Sequence, residues 1–440
     1  MATKTTPKPN VNAPSLPEVN ASVRVGGSPW RRMLGFAGPG FLIAVGYMDP
    51  GNWATDIAGG SRYGYTLLSV IMLSNLMAVL LQSLSLKLGI ATERDLAQLC
   101  REATGKWVGV TLWLAAEIAI AACDLAEVIG SAIALNLLFH IPLMWGVLIT
   151  GLDVLLILLL QQWGFRKIEA LVIGLIGAIV VLFGVQLVLS RPEFGLAFKN
   201  MFVPSAQIVT NPGMLFIAIG ILGATVMPHN LYLHSALVQS RDYKRTREGK
   251  REAVRLANID SAVALTLALF VNAAILIVAA AVFYRSGHYE VAAIEDAYKL
   301  LSPLVGATFA STLFAVALLA SGQNSSITGT LAGQVVMEGF VHLKVAPWLR
   351  RLITRSIAIA PTVVVVALWG EHGTEKLLLL SQVILSLQLS FAVVPLVIFT
   401  GQRKRMGEFV NAPWLKGLAW AAAVVIAGLN GWFLVLMAKQ

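Results

Sequence analysis

Two short polar segments interrupt apolar stretches of this sequence, and each places a proline two residues before an asparagine. They read "DPGN" at 49–52 and "MPHN" at 227–230. Asp49 and Asn52 offer oxygen ligands, and Met227 offers a thioether sulfur. Mg²⁺ and Ca²⁺ prefer oxygen alone, whereas softer transition metals also accept sulfur. The set favours a divalent ion such as Mn²⁺ or Fe²⁺, because Cu⁺ would want more sulfur and a structural Zn²⁺ more Cys and His.

The prolines also indicate that both helices break at these segments. A proline removes a backbone donor and clashes with the carbonyl one turn earlier, and the residue before it is pushed out of helical geometry. Carbonyl groups freed at membrane depth must line a cavity or bind something. Taken singly, either proline could be an ordinary kink, and Met227 could serve packing alone. A mid-span acid such as Asp49, however, costs at least about 2.5–3.5 kcal/mol to insert, which favours a functional site.

The composition indicates a membrane protein. Of 440 residues, 57% are hydrophobic and 13% are charged, whereas soluble domains carry about 25% charged residues. Cys100 and Cys123 are too few and too scattered for a disulfide framework or a thiolate metal site, so neither is assigned a function. Residues 1–30 are polar and lack the apolar core of a signal peptide. They predict a disordered cytoplasmic tail ahead of a retained first span.

Runs of about 20 apolar residues predict membrane-spanning helices, and the sequence contains eleven such runs. They lie near 33–60, 64–89, 107–138, 142–161, 165–190, 212–239, 255–284, 301–340, 350–369, 375–400 and 416–438. Within the eighth run, the small polar stretch "SGQNSSITGTLAG" is a place where the helix could bend or stop.

Basic residues give these spans an orientation, because Lys and Arg near span ends collect on the cytoplasmic side. With the N-terminus inside and the C-terminus outside, 26 of the 33 Lys and Arg residues fall in cytoplasmic segments and 7 in external ones. This bias predicts an integral protein of the plasma (inner) membrane. It also accounts for the net charge of +10, so no nucleic-acid partner is needed.

The two polar segments lie in spans one and six. Because five spans separate them, the second enters the membrane from the opposite side. Interrupted helices at matching positions of an inverted repeat indicate a secondary transporter with a site near the midplane. The predicted organisation is a first repeat at 31–190, an external loop at 191–211, a second repeat at 212–400, and a loop with an eleventh span at 401–440.

Span three carries three acids within "AAEIAIAACDLAEVIG", namely Glu117, Asp124 and Glu127. Their spacing keeps them within about 80° on one face of a helix. Three acids on one buried face need water, basic partners or protons. Glu117 would lie nearest the cytoplasm and Glu127 deepest, which is the layout of a proton exit path.

Candidate partners for these acids come from spans six and nine. His229 lies inside the second polar segment and titrates near neutral pH when unperturbed, although it could instead satisfy freed carbonyls. Arg350 and Arg351 begin span nine and could pair with the acids or anchor the span. For Arg355 the anchoring role is the one predicted, and for His234, on a different face from His229, a structural role.

Several motifs together resemble one family. The segments "MDPGN", "GATVMPHNLYLHSAL", "AGGSRYGYTLL", "DLAEVIG" and "SGQNSSITGTLAGQVVMEGF" are similar to those of the Nramp family (natural resistance-associated macrophage proteins), over about residues 31–440. The resemblance is to the bacterial manganese-transporter type. It implies a LeuT-like all-α fold of eleven transmembrane helices, with an inverted 5+5 repeat, one extra span, and helices 1 and 6 unwound.

By this resemblance, Asp49, Asn52 and Met227 are metal ligands, joined by the backbone carbonyl groups of Gly46 and Ala224. These two carbonyl groups belong to the residues three positions before Asp49 and Met227.

The family also uses a glutamine of span ten. In "LLLLSQVILSLQLSFAVVPL" this is predicted to be Gln382, with Gln388 as the alternative. The sequence has "LQLSF" where the family usually has "LQLPF", so Ser390 replaces a proline and the local shape of span ten is open.

The resemblance assigns the proton role to Glu127, His229 and Asp124, with Asp49 as a further proton acceptor. The predicted function is therefore proton-coupled import of Mn²⁺ or Fe²⁺ by alternating access. The ions are substrates and no cofactor is expected. The lipid bilayer is the other partner, and no obligatory protein partner is inferred.

Other classes of protein remain alternatives. A Na⁺-coupled amino-acid or amine transporter would share the fold. Its helix breaks should, however, consist of small, glycine-rich segments shaped for a substrate carboxylate, whereas here an acid faces a methionine. A Mg²⁺ transporter of the same fold should lack Met227. A membrane enzyme is disfavoured, because the sequence has no nucleophile elbow, zinc-helix motif or phosphate loop. A channel is less consistent with two breaks in an inverted repeat.

Overall fold

The computed structural model describes residues 14–152, 164–291, 293–341, 346–369 and 371–438, and most of the regular structure there is helical. Up to residue 202, its helices are α1 (Pro29–Phe36), α2 (Pro39–Gly46), α3 (Pro50–Tyr63), α4 (Leu68–Thr92), α5 (Leu96–Ala103), α6 (Lys106–Phe139), α7 (Leu143–Thr150), α8 (Phe165–Ser190) and α9 (Phe194–Phe202). Beyond it they are α10 (Gln207–Thr210), α11 (Pro212–Val226), α12 (Pro228–Leu237), α13 (Arg247–Ala279), α14 (Ile294–Val305), α15 (Ala310–Val341), α16 (Pro347–Trp369), α17 (Glu371–Thr400), α18 (Arg403–Met406) and α19 (Pro413–Met437).

Short irregular helices and one small sheet complete the described structure. Val238–Ser240 and Gly407–Phe409 form 3₁₀ turns, and Ala280–Tyr284 forms a π-helical turn. The strands β1 (Val23–Arg24) and β2 (Arg241–Asp242) pair in parallel.

Seven helical stretches in the described part of the chain are long and apolar enough to cross a membrane, and they match predicted spans two, three, five, six, seven, ten and eleven. Predicted span nine contains a shorter apolar helix, Leu352–Leu368. Predicted span one is divided between α2 and α3. Predicted span four runs into residues 153–161, which lie outside the described residues. The expectation of an all-α membrane protein is confirmed at this level.

The eighth predicted span differs from the structure in two respects. The chain leaves the helix between α14 and α15, near residues 306–309, and α15 then runs without interruption from Ala310 to Val341 through "SGQNSSITGTLAG". The helix therefore does not stop in that polar stretch. Its small side chains allow close helix packing, and two of its serines bind an acid of α6, as described below.

The amino-terminal segment also differs from the expectation of a disordered tail over residues 1–30. From residue 14 onward, it packs against the rest of the protein. Ser15 Oγ donates to Asp95 Oδ2 at 2.6 Å, and Leu16 and Val19 are buried. The β1–β2 pairing then joins the segment to the chain that follows α12. These polar and backbone contacts involve residues far apart in the sequence, so composition alone does not reveal them.

The two divided helices lie in the middle of the molecule. The half-helices α2 and α3 pack against α13, and α3 also contacts α6, α11 and α17. The half-helices α11 and α12 both contact α17 and α4, and α12 also contacts α15. The long helices α6, α13, α15 and α17 therefore surround the segments that carry the two polar motifs.

Candidate metal site

The sequence of the first polar segment ends one helix and starts another. The helix α2 ends at Gly46, and Asp49 is the N-cap of α3, where its Oδ1 accepts from the backbone N–H of Asn52 at 2.8 Å. Asp at the N-cap followed by Pro at the first helical position is a favoured helix start. The carboxylate of Asp49 is thereby fixed at the positive end of α3.

The second polar segment divides its helix over a single residue. Met227 lies between α11 and α12, with φ 33° and ψ 106°. A positive φ is costly for a side chain other than glycine, and such strained residues concentrate at functional sites. The following residue, Pro228, begins α12. The thioether of Met227 is therefore held by a strained backbone rather than by a regular helix.

The two breaks face each other across a close contact. A Cβ atom built at Gly46 would lie 3.0 Å from Met227 Sδ and would overlap Asn230 Nδ2. Asn230 Nδ2 itself lies 3.6 Å from Met227 Sδ and 3.4 Å from the carbonyl oxygen of Ile43. Only glycine allows this approach of α2 to the second break.

The side-chain amide of Asn52 shows where the oxygen groups converge. Its Nδ2 lies 2.8 Å from Asp49 Oδ1, 3.3 Å from the carbonyl oxygen of Gly46 and 3.1 Å from the carbonyl oxygen of Ala224. One donor thus contacts three oxygen atoms that come from both breaks. Three of the predicted oxygen ligands therefore lie around one point, which Asn52 meets with its amide nitrogen, while its Oδ1 faces Asn272.

Gln382 lies beside the same point. A Cβ atom built at Gly51 would overlap the side-chain amide of Gln382, so α17 brings this glutamine directly against the first turn of α3. Its Oε1 is buried, and no hydrogen-bond donor within the described residues reaches it. This carbonyl oxygen is available to a cation. The choice of Gln382 over Gln388 stays a prediction, since Oε1 of Gln388 is also buried without a hydrogen-bond partner among the described residues.

The candidate ligands are closed off from solvent. Asp49, Asn52, Met227 and Gln382 are each at most 1% exposed. The described residues contain no group of three or more His, Cys, Asp and Glu side chains that could hold a metal ion. A cation at this point would be held by one carboxylate, neutral oxygens and a thioether, which makes the site unlike a structural zinc site.

Two residues in contact with the site were not singled out from the sequence. Asn272 Nδ2 donates to Asn52 Oδ1 at 3.2 Å and to the carbonyl oxygen of Tyr47 at 2.8 Å. Cys123 Sγ lies 4.0 Å from Asp49 Oδ2 and 3.7 Å from Glu127 Oε1. Asn272 could have been found as a polar residue in the middle of the apolar span seven. Cys123 could have been found because it lies four residues before Glu127, on the same face of the helix.

Two of the three acids of span three, Asp124 and Glu127, are gathered in a buried ion-pair cluster. Glu127 Oε1 and Oε2 accept from the hydroxyl groups of Ser325 and Ser326, each at 3.0 Å. The guanidinium group of Arg355 lies 3.4 Å from Glu127 Oε2 and 3.9 Å from Asp124 Oδ1. It also donates to Ser326 Oγ.

The prediction that Arg355 anchors span nine at the membrane surface is therefore wrong. Its side chain is 1% exposed and lies between two acids of α6. Arg355 follows Arg350 and Arg351 near the start of the same helix, and this position among basic residues is typical of a surface anchor. The side chains of Arg350 and Arg351 lie outside the described residues.

The remaining candidates for proton transfer are distributed along the same region. Glu117 Oε1 accepts from Trp113 Nε1 at 3.2 Å, two turns before Asp124 on α6. His229 is buried, and no hydrogen-bond partner from the described residues meets its Nδ1. His234 Nδ1 lies 2.9 Å from Gln82 Oε1, in keeping with a structural role.

Two interrupted helices that meet in the interior of a helical membrane protein are typical of secondary transporters. A family model described as "Natural resistance-associated macrophage protein-like" matches residues 40–436. The chain belongs to the Nramp family, and the resemblance drawn from the motifs is confirmed.

Similar proteins agree with this assignment. A relative from Nostoc sp. named "Divalent metal cation transporter MntH" is 61% identical over 429 residues, covering 97% of each chain. One of the same name from Listeria innocua is 62% identical over 421 residues, covering 95% of this chain and 94% of its own. Both relatives match nearly the whole chain.

Solved structures resemble the chain at two levels. The Eremococcus coleocola manganese transporter has a TM-score of 0.88 and 47% identity, with 94% of this chain and 89% of its own covered. Mhp1 in an inward-facing conformation has a TM-score of 0.59 at 13% identity. The second likeness shows the fold alone.

Proposed function

We propose that this protein imports divalent transition-metal ions, Mn²⁺ and Fe²⁺, as a proton-coupled secondary transporter that works by alternating access. In this proposal the chain has eleven spans, a cytoplasmic N-terminus and an external C-terminus in the plasma (inner) membrane. The observation that carries it is the convergence of Asp49 Oδ1 and the carbonyl oxygens of Gly46 and Ala224 on one amide, that of Asn52. The names of the relatives and of the manganese transporter support it.

The donor set suits a transition metal. Asp49 offsets part of the double positive charge, and the carbonyl oxygens complete a hard side of the site. Met227 adds a soft ligand, which Mg²⁺ and Ca²⁺ do not favour. Rotation of the Asn52 amide would present its Oδ1 to the ion, and this rotation would exchange the hydrogen bond that Oδ1 accepts from Asn272 for a bond to the ion. The alternative of an amino-acid transporter is disfavoured, because the carboxylate of Asp49 would repel the carboxylate of an amino-acid substrate.

Burial of the ligands requires a conformational change in every transport cycle. On the cytoplasmic side, the N-terminus of α2 is held by Asp260, whose carboxylate accepts from the N–H groups of Gly38 and Gly40 at 3.1 and 2.7 Å. Nearby, Arg241 forms a buried ion pair with Glu169 at 2.8 Å. We infer that movement of α2 breaks these contacts and opens the site to the cytoplasm.

A proton can leave the site along α6. Cys123 lies between the carboxylates of Asp49 and Glu127, and Arg355 joins Glu127 to Asp124. Protonation of Asp49 or its neighbours would weaken the attraction for the metal ion. The path from the metal ligand through this cluster runs toward Glu117, which lies on the cytoplasmic side in the predicted orientation.

Transport by purified protein in liposomes tests the proposal. With a pH gradient, acid outside, we expect Mn²⁺ uptake together with acidification of the lumen. Asp49→Ala should abolish uptake, since it removes the one anionic ligand, while the variant should still purify as a folded protein. Mn²⁺ uptake with no acidification would contradict proton coupling. Uptake by Asp49→Ala equal to that of the parent protein would contradict the site.

A further inference from the structure

The segment at residues 14–24, ahead of the first span, is fixed by side-chain hydrogen bonds to two helices far along the chain. Ser15 Oγ donates at 2.6 Å to Oδ2 of Asp95, the N-cap of α5. Glu18 Oε1 accepts from Nε2 of Gln334, on α15, at 2.9 Å. Both bonds hold the segment against parts of the chain that also contact each other, since α5 packs against α15.

The same segment is also attached to the chain that follows α12. The N–H group of Ala21 donates to the carbonyl oxygen of Gln239 at 3.0 Å, and β1 then pairs with β2. Between these attachments, Leu16 and Val19 are buried in the main apolar core. Residues 14–24, called the strap below, therefore connect α5, α15 and β2.

The elements under the strap lead directly to the metal site and to the buried acids. The helix α12 begins after Met227 and ends two residues before Gln239, and its 10 residues rise by about 15 Å. On α15, Gln334 comes eight residues after Ser326, which binds Glu127, a rise of about 12 Å. The strap thus holds the ends of two helices whose other parts contact the metal ligands and the proton path.

The strap lies on the side that is cytoplasmic in the proposed orientation. It binds α5, which directly precedes the start of α6, the end nearest Glu117. Its partner strand carries Arg241, whose guanidinium group donates to the carbonyl oxygens of Phe36 and Ala37 at 3.3 and 3.0 Å. These carbonyl groups come just before α2. The strap, β2 and the start of α2 are therefore joined by one continuous set of contacts.

We propose that the strap holds the cytoplasmic side of the site closed, and that its pairing with β2 separates each time the site opens to the cytoplasm. This inference rests on the proposed alternating access. The metal ligands are buried, so an ion leaves only when the half-helices α2 and α12 part from α6 and α15. The strap is attached to α15 at one end and to the chain after α12 at the other, so it spans the gap that must open. Its carboxyl end continues into α1 and α2, and movement of α2 therefore pulls β1 away from β2.

A disulfide between β1 and β2 tests the strap. Arg24 and Asp242 are partners in the parallel register, and both are exposed. Neighbouring strands lie about 4.8 Å apart, which suits a disulfide. The native thiols, Cys100 and Cys123, are buried. The double variant Arg24→Cys/Asp242→Cys is reconstituted in liposomes, and its Mn²⁺ uptake is measured after oxidation and again after reduction. The two single variants are the matched controls.

We expect oxidation to lower Mn²⁺ uptake by the double variant at least tenfold and reduction to restore it, while neither treatment changes uptake by the single variants. A double variant that is fully cross-linked, as shown by mass spectrometry, and still transports as fast as its reduced form would overturn the proposal. Absence of Mn²⁺ uptake by the parent protein would instead contradict the proposed function, and the strap is then judged by a measurement that does not depend on transport.

That measurement uses Cys123 as a reporter, because its Sγ lies 4.0 Å from Asp49 Oδ2 in the closed site. Leu16→Asp places a charge in the buried part of the strap and should release it. Asn20→Asp, which places the same charge at an exposed position of the strap, is the matched control. Inverted membrane vesicles expose the cytoplasmic face to a membrane-impermeant methanethiosulfonate, and peptide mass spectrometry follows the modification of Cys123.

We expect Cys123 to be modified severalfold faster in Leu16→Asp than in the parent protein, and at the parent rate in Asn20→Asp. A single size-exclusion peak confirms that each variant is folded. Equal rates in Leu16→Asp and Asn20→Asp would overturn the proposal, because the site would then open as readily with the strap released as with the strap in place.

Discussion

Replacing Arg355 by methionine removes the positive charge that lies between two buried acids of α6. Methionine keeps much of the length of the side chain, so the change is mainly one of charge. At 3.4 Å from Glu127 Oε2 and 3.9 Å from Asp124 Oδ1, an effective dielectric of about 20 gives each attraction about 4–5 kcal/mol. The desolvation of the guanidinium group offsets a large part of this gain.

The net loss on breaking a buried ion pair is typically about 3–5 kcal/mol, because the remaining charge stays buried. For a 440-residue chain, the entropy of unfolding scales to about 1 kcal/mol per degree. We therefore expect Arg355→Met to lower the melting temperature by roughly 3–5 °C. Adding Glu127→Gln removes one of the two acids and should recover at least half of the loss, which a double-mutant cycle measures.

Intrinsic tryptophan fluorescence of the purified protein, followed during heating, measures these shifts. The matched control is Arg62→Met. Arg62 pairs with Glu375 at 3.3 Å, nearly the same distance, but its side chain is 39% exposed. Exposed pairs contribute about 0–1 kcal/mol. If Arg355→Met melted at the same temperature as Arg62→Met, or if Glu127→Gln gave no recovery, the buried cluster would not have the role assigned here.

Two further predictions concern the metal site and the N-cap of α5. Met227→Ala should retain some Mn²⁺ transport while Ca²⁺ and Mg²⁺ begin to compete, because the soft ligand is lost; an unchanged competition profile in proteoliposomes would contradict the role of the thioether. Burial raises the pKa of Asp95 to about 6, although hydrogen bonds from Ser15 and Gln98 lower it. The folded state then binds the proton more tightly than the unfolded chain. This group's contribution to stability is therefore present below about pH 4 and is lost as the pH rises through 6. The free energy of unfolding falls by about 3 kcal/mol across this pH range on account of this group. Asp95→Asn should keep the helix cap and flatten the melting temperature across this range; a pH profile equal to that of the parent protein would contradict it.

The positions of the two breaks could be predicted from the sequence because proline acts locally. A proline inside an apolar run favours a break by removing a backbone donor, and the polar residues beside Pro50 and Pro228 separate these two from Pro361 and Pro395, which lie inside the unbroken helices α16 and α17. Gly46 and Ala224 follow once the family is recognised, since they precede Asp49 and Met227 by three residues. Their convergence on Asn52 agrees with that expectation.

The features that were missed depend on contacts distant in the sequence. Arg355 resembles a surface anchor because its sequence neighbours are basic. Only the packing of α16 against α6 brings it beside its acidic partners, Asp124 and Glu127. The polar stretch of α15 lacks the apolar pattern of a membrane helix, so its sequence suggested an interruption. Its serines are instead used within the helix as hydrogen-bond donors to Glu127. The segment from residue 14 is ordered through Asp95, which lies 80 residues away from Ser15.

The location of a bound Mn²⁺ ion tests the central claim most directly. Crystals grown with Mn²⁺ would show it by anomalous scattering. We predict one strong peak between the two breaks, roughly 2.2 Å from a carboxylate oxygen of Asp49 and within coordination distance of Met227 Sδ, as expected for a transition metal with these ligands. A peak held by other residues, or an empty site between Asp49 and Met227 at saturating Mn²⁺, would contradict it.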